Sequence, residues 1–322
     1  MVKFLRKLPA GLFLVPLILS MIVYTIAPNL MMTGGMIQSL FSGEGIGFMV
    51  AALTFYSGTN LNMKRLVRVL KRHGVILVVK AIVSVLLSLG YIYLFGQEGV
   101  LGISAVAFVV AINSANPAIY MSIVEPYGDD DDPTAFGLTG LFSIPLFPIF
   151  VYSIVSGSTT GAGMDWTPVI TTLIPLIIGF ILGNIDPEFG EVFSPGIGAI
   201  LPLLGWNLGQ GMDLIAAIKA GGPGLILTAI YILVHSYLYF LDYKVLNNNG
   251  IVGIALISVA GVSVSTPAVL GRLYPELVGN FVVDATSQLL LVCVITSILA
   301  PIVSQWQYRR YYGPKLPLED RE

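Results

Sequence analysis

Residues 105–124 read AVAFVVAINSANPAIYMSIV, and residues 255–273 read ALISVAGVSVSTPAVLGRL. Each is an apolar stretch broken near its middle by a polar cluster that ends in proline. The clusters are Asn113-Ser114-Ala115-Asn116-Pro117 and Ser263-Val264-Ser265-Thr266-Pro267. Proline lacks a backbone donor, clashes with the preceding turn and pushes the residue before it towards extended geometry. Asn116-Pro117 and Thr266-Pro267 therefore each read as an N-cap followed by a first-turn proline. Each stretch reads as two half-helices joined by a short unwound piece. Half-helices starting at Pro117 and Pro267 would turn their free N–H groups and positive dipole ends into the interior. Two such ends facing one cavity suit an anionic group with no need for a buried arginine or lysine. Asn113, Ser114, Asn116, Ser263, Ser265 and Thr266 would hydrogen-bond its carboxylate or hydroxyls. For one stretch alone, an ordinary proline kink with capping neighbours is the simpler reading. Two clusters at matching places favour a site.

Matching places exist because the chain repeats itself. Leu14-Val15-Pro16-Leu17-Ile18 returns as Leu173-Ile174-Pro175-Leu176-Ile177, and Pro28 as Pro187. Gly58 ahead of Thr59-Asn60-Leu61-Asn62 returns as Gly209 ahead of Gln210-Gly211-Met212-Asp213, and Gly102-Ile103 as Gly253-Ile254. Asn116-Pro117-Ala118 returns as Thr266-Pro267-Ala268. Each match is weak alone; their common order implies a duplicated unit.

Composition sets the environment. Of 322 residues, 56% are hydrophobic and only 11% charged, against roughly 25% charged in soluble domains. Most of the surface is therefore expected to face lipid. A net charge of -2 gives no reason to expect nucleic acid or acidic partners. Cys293 has no second cysteine to pair with. It lies in an apolar run and reads as a small packing residue. No metal site is expected, since His73 and His235 are the two histidines. The absence of a GxxxxGK[ST] signature excludes the common ATPase motor.

A bilayer core needs about 20 apolar residues per helix. Cutting at charged and turn-rich stretches gives ten spans, at 8–27, 44–61, 73–95, 99–124, 134–156, 167–185, 196–213, 222–242, 250–271 and 281–306. The first is read as a membrane helix rather than a signal peptide, because it is long enough to span and no A-x-A site follows. The fold expected is all-α, with ten transmembrane helices in two five-helix repeats, 1–160 and 161–322. An odd number of helices per repeat inverts the second relative to the first. Lys3, Arg6, Lys7, Lys64, Arg65, Arg68, Lys71, Arg72, Lys244, Arg309, Arg310, Lys315 and Arg321 then share one side, and only Lys219 and Arg272 the other. The positive-inside rule makes both termini cytoplasmic in a cell (plasma) membrane. The acidic run Asp129–Asp132 falls on the cytoplasmic side and reads as a solvated loop.

A second polar set, Thr59, Asn60, Asn207 and Gln210, ends the second and seventh spans; it lines the same cavity or sits at the interface. Lys80 lies about two turns inside the third span, where charge is costly and often functional. Lys80, Asp284 and Gln288 are the candidates for ion coupling. Asp213 and Asp242 fall at helix ends, and His235 reads as a hydrogen-bonded packing residue.

Four stretches carry a family resemblance. LPAGLFLVPLILS (8–20), GFILGNIDPEFGEVFSPGIGAILPLLGWNLGQGMDL (179–214), STPAVL (265–270) and TSILAPIVSQW (296–306) resemble the 2-keto-3-deoxygluconate permeases. GNIDPE with the downstream GxGMDL is the most specific part. The resemblance runs nearly the whole length. It implies import of a sugar-acid anion by proton symport, with no cofactor. More distantly it implies the bile-acid sodium symporter fold, with a panel and a core subdomain and crossing fourth and ninth helices. Ser263, Ser265 and Thr266 stand where sodium symporters of that fold use a carboxylate, which leans against sodium without excluding it. FYSGTNLN (55–62) is the other departure.

The function expected is secondary active transport of 2-keto-3-deoxygluconate or a similar small sugar acid, by alternating access. A cation/proton antiporter would need a buried carboxylate pair, and none is legible; a sodium-coupled organic-anion symporter is the other alternative. A membrane-embedded aspartyl or serine protease would need facing Asp residues or a Ser–His pair at depth, and none is found. Interrupted helices disfavour a passive channel.

Overall fold

The computed structural model describes residues 11–31, 33–59, 61, 63–129, 132–161, 164–210 and 221–312. Among these residues the chain forms helices and turns, with one isolated bridge between Val100 and Ile103 and no strand. In chain order the helices are α1 (Gly11–Ile26), α2 (Gly35–Phe41), α3 (Ile46–Thr59), α4 (Met63–Phe95), α5 (Ala105–Ile112), α6 (Pro117–Tyr127) and α7 (Leu146–Thr160). They continue with α8 (Thr167–Ile185), α9 (Glu188–Gly209), α10 (Gly221–Phe240), α11 (Ile251–Ala255), α12 (Thr266–Leu273) and α13 (Val282–Tyr312).

Among the described residues five stretches are long and apolar enough to cross a membrane unaided: His73–Phe95, Thr167–Ile185, Glu188–Asn207, Gly221–Val245 and Pro275–Tyr312. The pair α2–α3, bent by 54°, makes a sixth if counted as one span. Val75, Val78, Ile82 and Leu86 on α4 form an exposed apolar stripe at helical spacing, as do Ile170, Ile174, Ile177 and Ile181 on α8. Such stripes are stable only against lipid or another apolar surface. This is a multi-pass membrane protein.

Helix boundaries depart from the sequence expectation where a side chain caps an end. The stretch expected at 196–213 begins at Glu188, because Asp186 Oδ1 accepts the Glu188 N–H at 3.0 Å. Glu188 and Glu191 then occupy the first turn, where negative charge meets the positive helix end. The stretch expected at 73–95 is the second part of a helix that starts at Met63. Asn184 stabilises that start: its Oδ1 accepts the Met63 N–H at 2.7 Å and its Nδ2 donates to the Leu61 carbonyl at 2.7 Å.

The helices pack as two layers. In one, α1 lies along α9, α3 along α8, and α3 also meets α9. The other contains α4–α7 and α10–α13, with α10 against α13 and α4 against α5. Both long contacts of the first layer are close backbone approaches. A Cβ at Gly58 would overlap the Leu176 carbonyl and lie 3.0 Å from Phe180 N; a Cβ at Gly209 would overlap the Leu17 carbonyl and lie 3.0 Å from Met21 N. Gly179 and Gly183 form a G-x-x-x-G step on α8 that faces Thr59 and Gly58, the spacing that lets membrane helices approach closely.

Candidate functional site

Both expected interruptions are present. The first runs from Asn113 to Asn116, between α5 and α6. Asn116 caps α6, its Oδ1 accepting the Ile119 N–H at 3.3 Å. The second differs from expectation. Thr266 is not an N-cap: its φ of -59° and ψ of -39° are helical, and a 3₁₀ turn, Val262–Ser265, leads into α12. An N-cap needs non-helical dihedrals, which Thr266 loses once Ser263 N and Val264 N bond back to Ala260 O and Gly261 O. The unwound part is therefore Leu256–Gly261. Replacing Asn116 with alanine removes the one side-chain cap of the pair, and the expected loss is about 1 kcal/mol, read as a lower unfolding midpoint in detergent. An unchanged midpoint would show that the cap contributes nothing.

The two interruptions meet. Ser114 Oγ lies 2.7 Å from Ser263 Oγ and accepts the Ala260 N–H at 3.0 Å. Ser263 Oγ donates to the Ser143 carbonyl at 3.3 Å. Each hydroxyl has one proton to give, so Ser114 is the donor to Ser263. Asn116 Nδ2 donates to the Val259 carbonyl at 3.3 Å, a second direct link. Asn113, Ser114, Asn116, Ser263, Ser265 and Thr266 are all buried. Ser265 Oγ bonds within its own turn, to Val262 O at 2.6 Å.

Two neighbouring helices close on the first break with residues that sequence reasoning did not assign to it. On α4, Ser84 Oγ donates to Ile112 O at 2.9 Å and Ser88 Oγ accepts from Asn113 Nδ2 at 2.8 Å. On α10, Tyr231 Oη donates to Ser114 O at 3.3 Å, and His235 Nε2 lies 3.1 Å from Ile112 O. His235 is a packing residue, as expected, but one that serves a carbonyl freed by the break. The i, i+4 spacing of both pairs was the available signal.

The other nominated residues lie apart from the breaks. Thr59 Oγ1 bonds Tyr56 O, Asn207 Nδ2 bonds Leu40 O and Leu203 O, and Gln210 Nε2 bonds Ser20 Oγ; these bonds stay among α1, α3 and α9 and the short α2 that packs on α9. Asn60 and Asp213 lie outside the described residues. Gln288 is buried but donates to Gly102 O at 2.9 Å rather than pairing with an ionisable group. Asp284 is exposed in the first turn of α13. The acidic run is not wholly a solvated loop: Asp132 is buried, 3.2 Å from His73 Nε2, and accepts the Asp129 N–H at 2.8 Å. Asp242 is buried as well, accepting from Asn248 Nδ2 at 2.8 Å and Gly253 N at 2.9 Å. Folding of the loop after α6 back onto α4 withdraws Asp132 from water.

Among the described residues no group of His, Cys, Asp or Glu could hold a metal ion. An apolar groove of about 350 Å³ lies between α10 and α13, and another of about 450 Å³ between α4, α7 and α8. Their almost wholly apolar linings offer a polar ligand few partners.

The profile of the 2-keto-3-deoxygluconate permease (KdgT) family matches residues 2–312. The chain belongs to that family. Similar proteins include 2-keto-3-deoxygluconate permease 1 of Salmonella typhimurium, 29% identical over 305 residues covering 94% of each chain. The 2-keto-3-deoxygluconate permease of Enterobacter sp. strain 638 is 28% identical over 323 residues, covering 98% of this chain and 96% of the relative. That of Escherichia coli O157:H7 is 29% identical over 310 residues, covering 94% and 92%. Membership of a permease family makes the chain a transport protein and not an enzyme.

Proposed function

We propose that this permease imports 2-keto-3-deoxygluconate, or a similar small sugar-acid anion, across the plasma membrane by proton symport. The observation that carries this reading is the hydroxyl chain from Ala260 N through Ser114 and Ser263 to Ser143 O, which holds two unwound segments against each other. Unwound segments deep in a membrane protein persist where they are buried in protein or line a site. The carboxylate sits at the start of α6, where the helix dipole favours an anion. Asn113, Asn116, Ser263 and Ser265 read the hydroxyls.

The chain crosses the membrane ten times, as two inverted five-helix repeats over 1–160 and 161–322, with both termini cytoplasmic. The glycine contacts support this: Gly58 on Leu176 and Gly209 on Leu17 join residues that the sequence repeat equates in pairs. The first layer is the panel and the second the core that carries both breaks. Sliding of the core against the panel would expose the site to each side in turn.

Purified protein in liposomes, alkaline inside, is expected to accumulate labelled 2-keto-3-deoxygluconate, with sodium making no difference. Accumulation that needs a sodium gradient would replace proton coupling by sodium coupling. No uptake under either gradient would remove this substrate.

A further inference from the structure

Lys80 is fully buried, and its Nζ has no hydrogen-bond partner among the described residues. Its surroundings place it at the first break. Lys80, Ser84 and Ser88 fall at successive i, i+4 positions, on one face of α4. Ser84 bonds Ile112 O and Ser88 bonds Asn113 Nδ2, so this face looks onto the residues where α5 ends. Lys80 lies one turn nearer the start of α4, with its Nζ 5.6 Å from the centre of the Phe142 ring. The Phe142 carbonyl in turn accepts the Ala115 N–H, inside the break, at 3.2 Å. Ile76, Leu77 and Ala81, neighbours of Lys80, share one apolar cluster with Ala115, Ile119 and Tyr120.

The charges near this amine are unbalanced. His235, the basic side chain that also closes on this break, sits against the Tyr231 and Ile112 carbonyl oxygens and brings no negative charge. Among the described residues no carboxylate forms a hydrogen bond with Lys80. A basic group buried without an acidic partner is costly in any low-dielectric site, and more so within a membrane. The missing complement is one negative charge.

We propose that the ε-amino group of Lys80 is the counter-charge for the carboxylate of the transported anion. The start of α6 and Asn116 fix the anion's position, and Lys80 supplies the fixed charge that a helix end alone lacks. The permease thereby selects sugar acids over neutral sugars and amides. This assignment rests on the sugar-acid reading of the site given above.

The test is calorimetric titration of the detergent-purified wild type and Lys80→Met with 2-keto-3-deoxygluconate and with its carboxamide, which keeps the hydroxyls and loses the charge. The wild type is expected to bind the acid at least tenfold more tightly than the amide. Lys80→Met is expected to lose at least tenfold in affinity for the acid, while its affinity for the amide stays within twofold of wild type. A merely structural lysine would weaken both ligands together, and that result would overturn the assignment. Equal affinity of the wild type for acid and amide would overturn it without any variant, should Lys80→Met fail to fold. A wild type that binds neither ligand would remove the substrate itself, an outcome distinct from loss of the lysine's role alone.

Discussion

Gly209→Val and Gly58→Val are each expected to destabilise the folded protein by at least about 3 kcal/mol, the upper end for overpacking a close-fitted site. The first added carbon at Gly209 falls on the Leu17 carbonyl and 2.6 Å from Ser20 Cβ, and that at Gly58 falls on the Leu176 carbonyl and 3.2 Å from Gly179 Cα. Backbone atoms cannot rotate away as a side chain could, so a helix pair must separate, α1 from α9 or α3 from α8. The two losses should be similar, because Leu17 and Leu176 occupy the same place in the repeated L-x-P-L-I. Unfolding midpoints in detergent measure both. A wild-type midpoint in either variant would mean that the helices are not in backbone contact there, and would take away the main support for the inverted repeat.

How far the sequence discloses this protein depends on the range of the interaction involved. The break at Asn113–Asn116 is legible because it is local: proline forbids one hydrogen bond and asparagine supplies the replacement within three residues. Thr266-Pro267 presents the same local signal and misleads, since the backbone bonds Ser263 N to Ala260 O and Val264 N to Gly261 O carry helical geometry through the threonine. A choice between cap and 3₁₀ turn is worth little energy, and the surrounding packing decides it. The partners of the break are illegible for a different reason. Ser84, Ser88, Tyr231 and His235 reach it from two other helices, and no local pattern records which face of α4 or α10 turns inward. Lys80 could be singled out by its depth in an apolar helix, but its lack of a partner needed the fold. Asn184 shows the converse: it stands within GNIDPE, the stretch that carries the family resemblance, and its physical task, clasping Leu61 and Met63, is visible only in space.

Ser114→Ala is expected to reduce uptake of 2-keto-3-deoxygluconate at least tenfold and to cost about 2 kcal/mol of stability, within the range for a buried group left unsatisfied. Ser114 Oγ is both the acceptor for Ala260 N and the donor to Ser263 Oγ, so alanine strands a backbone N–H inside the protein and cuts the link between the breaks. Ser263→Ala should cost less, about 1 kcal/mol, the lower end for loss of its two neutral hydrogen bonds. It leaves Ser114 as acceptor for Ala260 and frees the Ser143 carbonyl and the Ser114 hydroxyl proton; a carbonyl's second lone pair and a rotatable hydroxyl tolerate the loss more readily than a fixed backbone N–H would. The double variant should be little worse than Ser114→Ala alone, because residues in one hydrogen-bonded chain are not additive. Unfolding midpoints for the three variants, with uptake into liposomes, test the order. Equal losses for the two single variants, or full additivity in the double, would mean that the two hydroxyls act independently. The coupling of the breaks would then have to lie in the Asn116–Val259 bond instead.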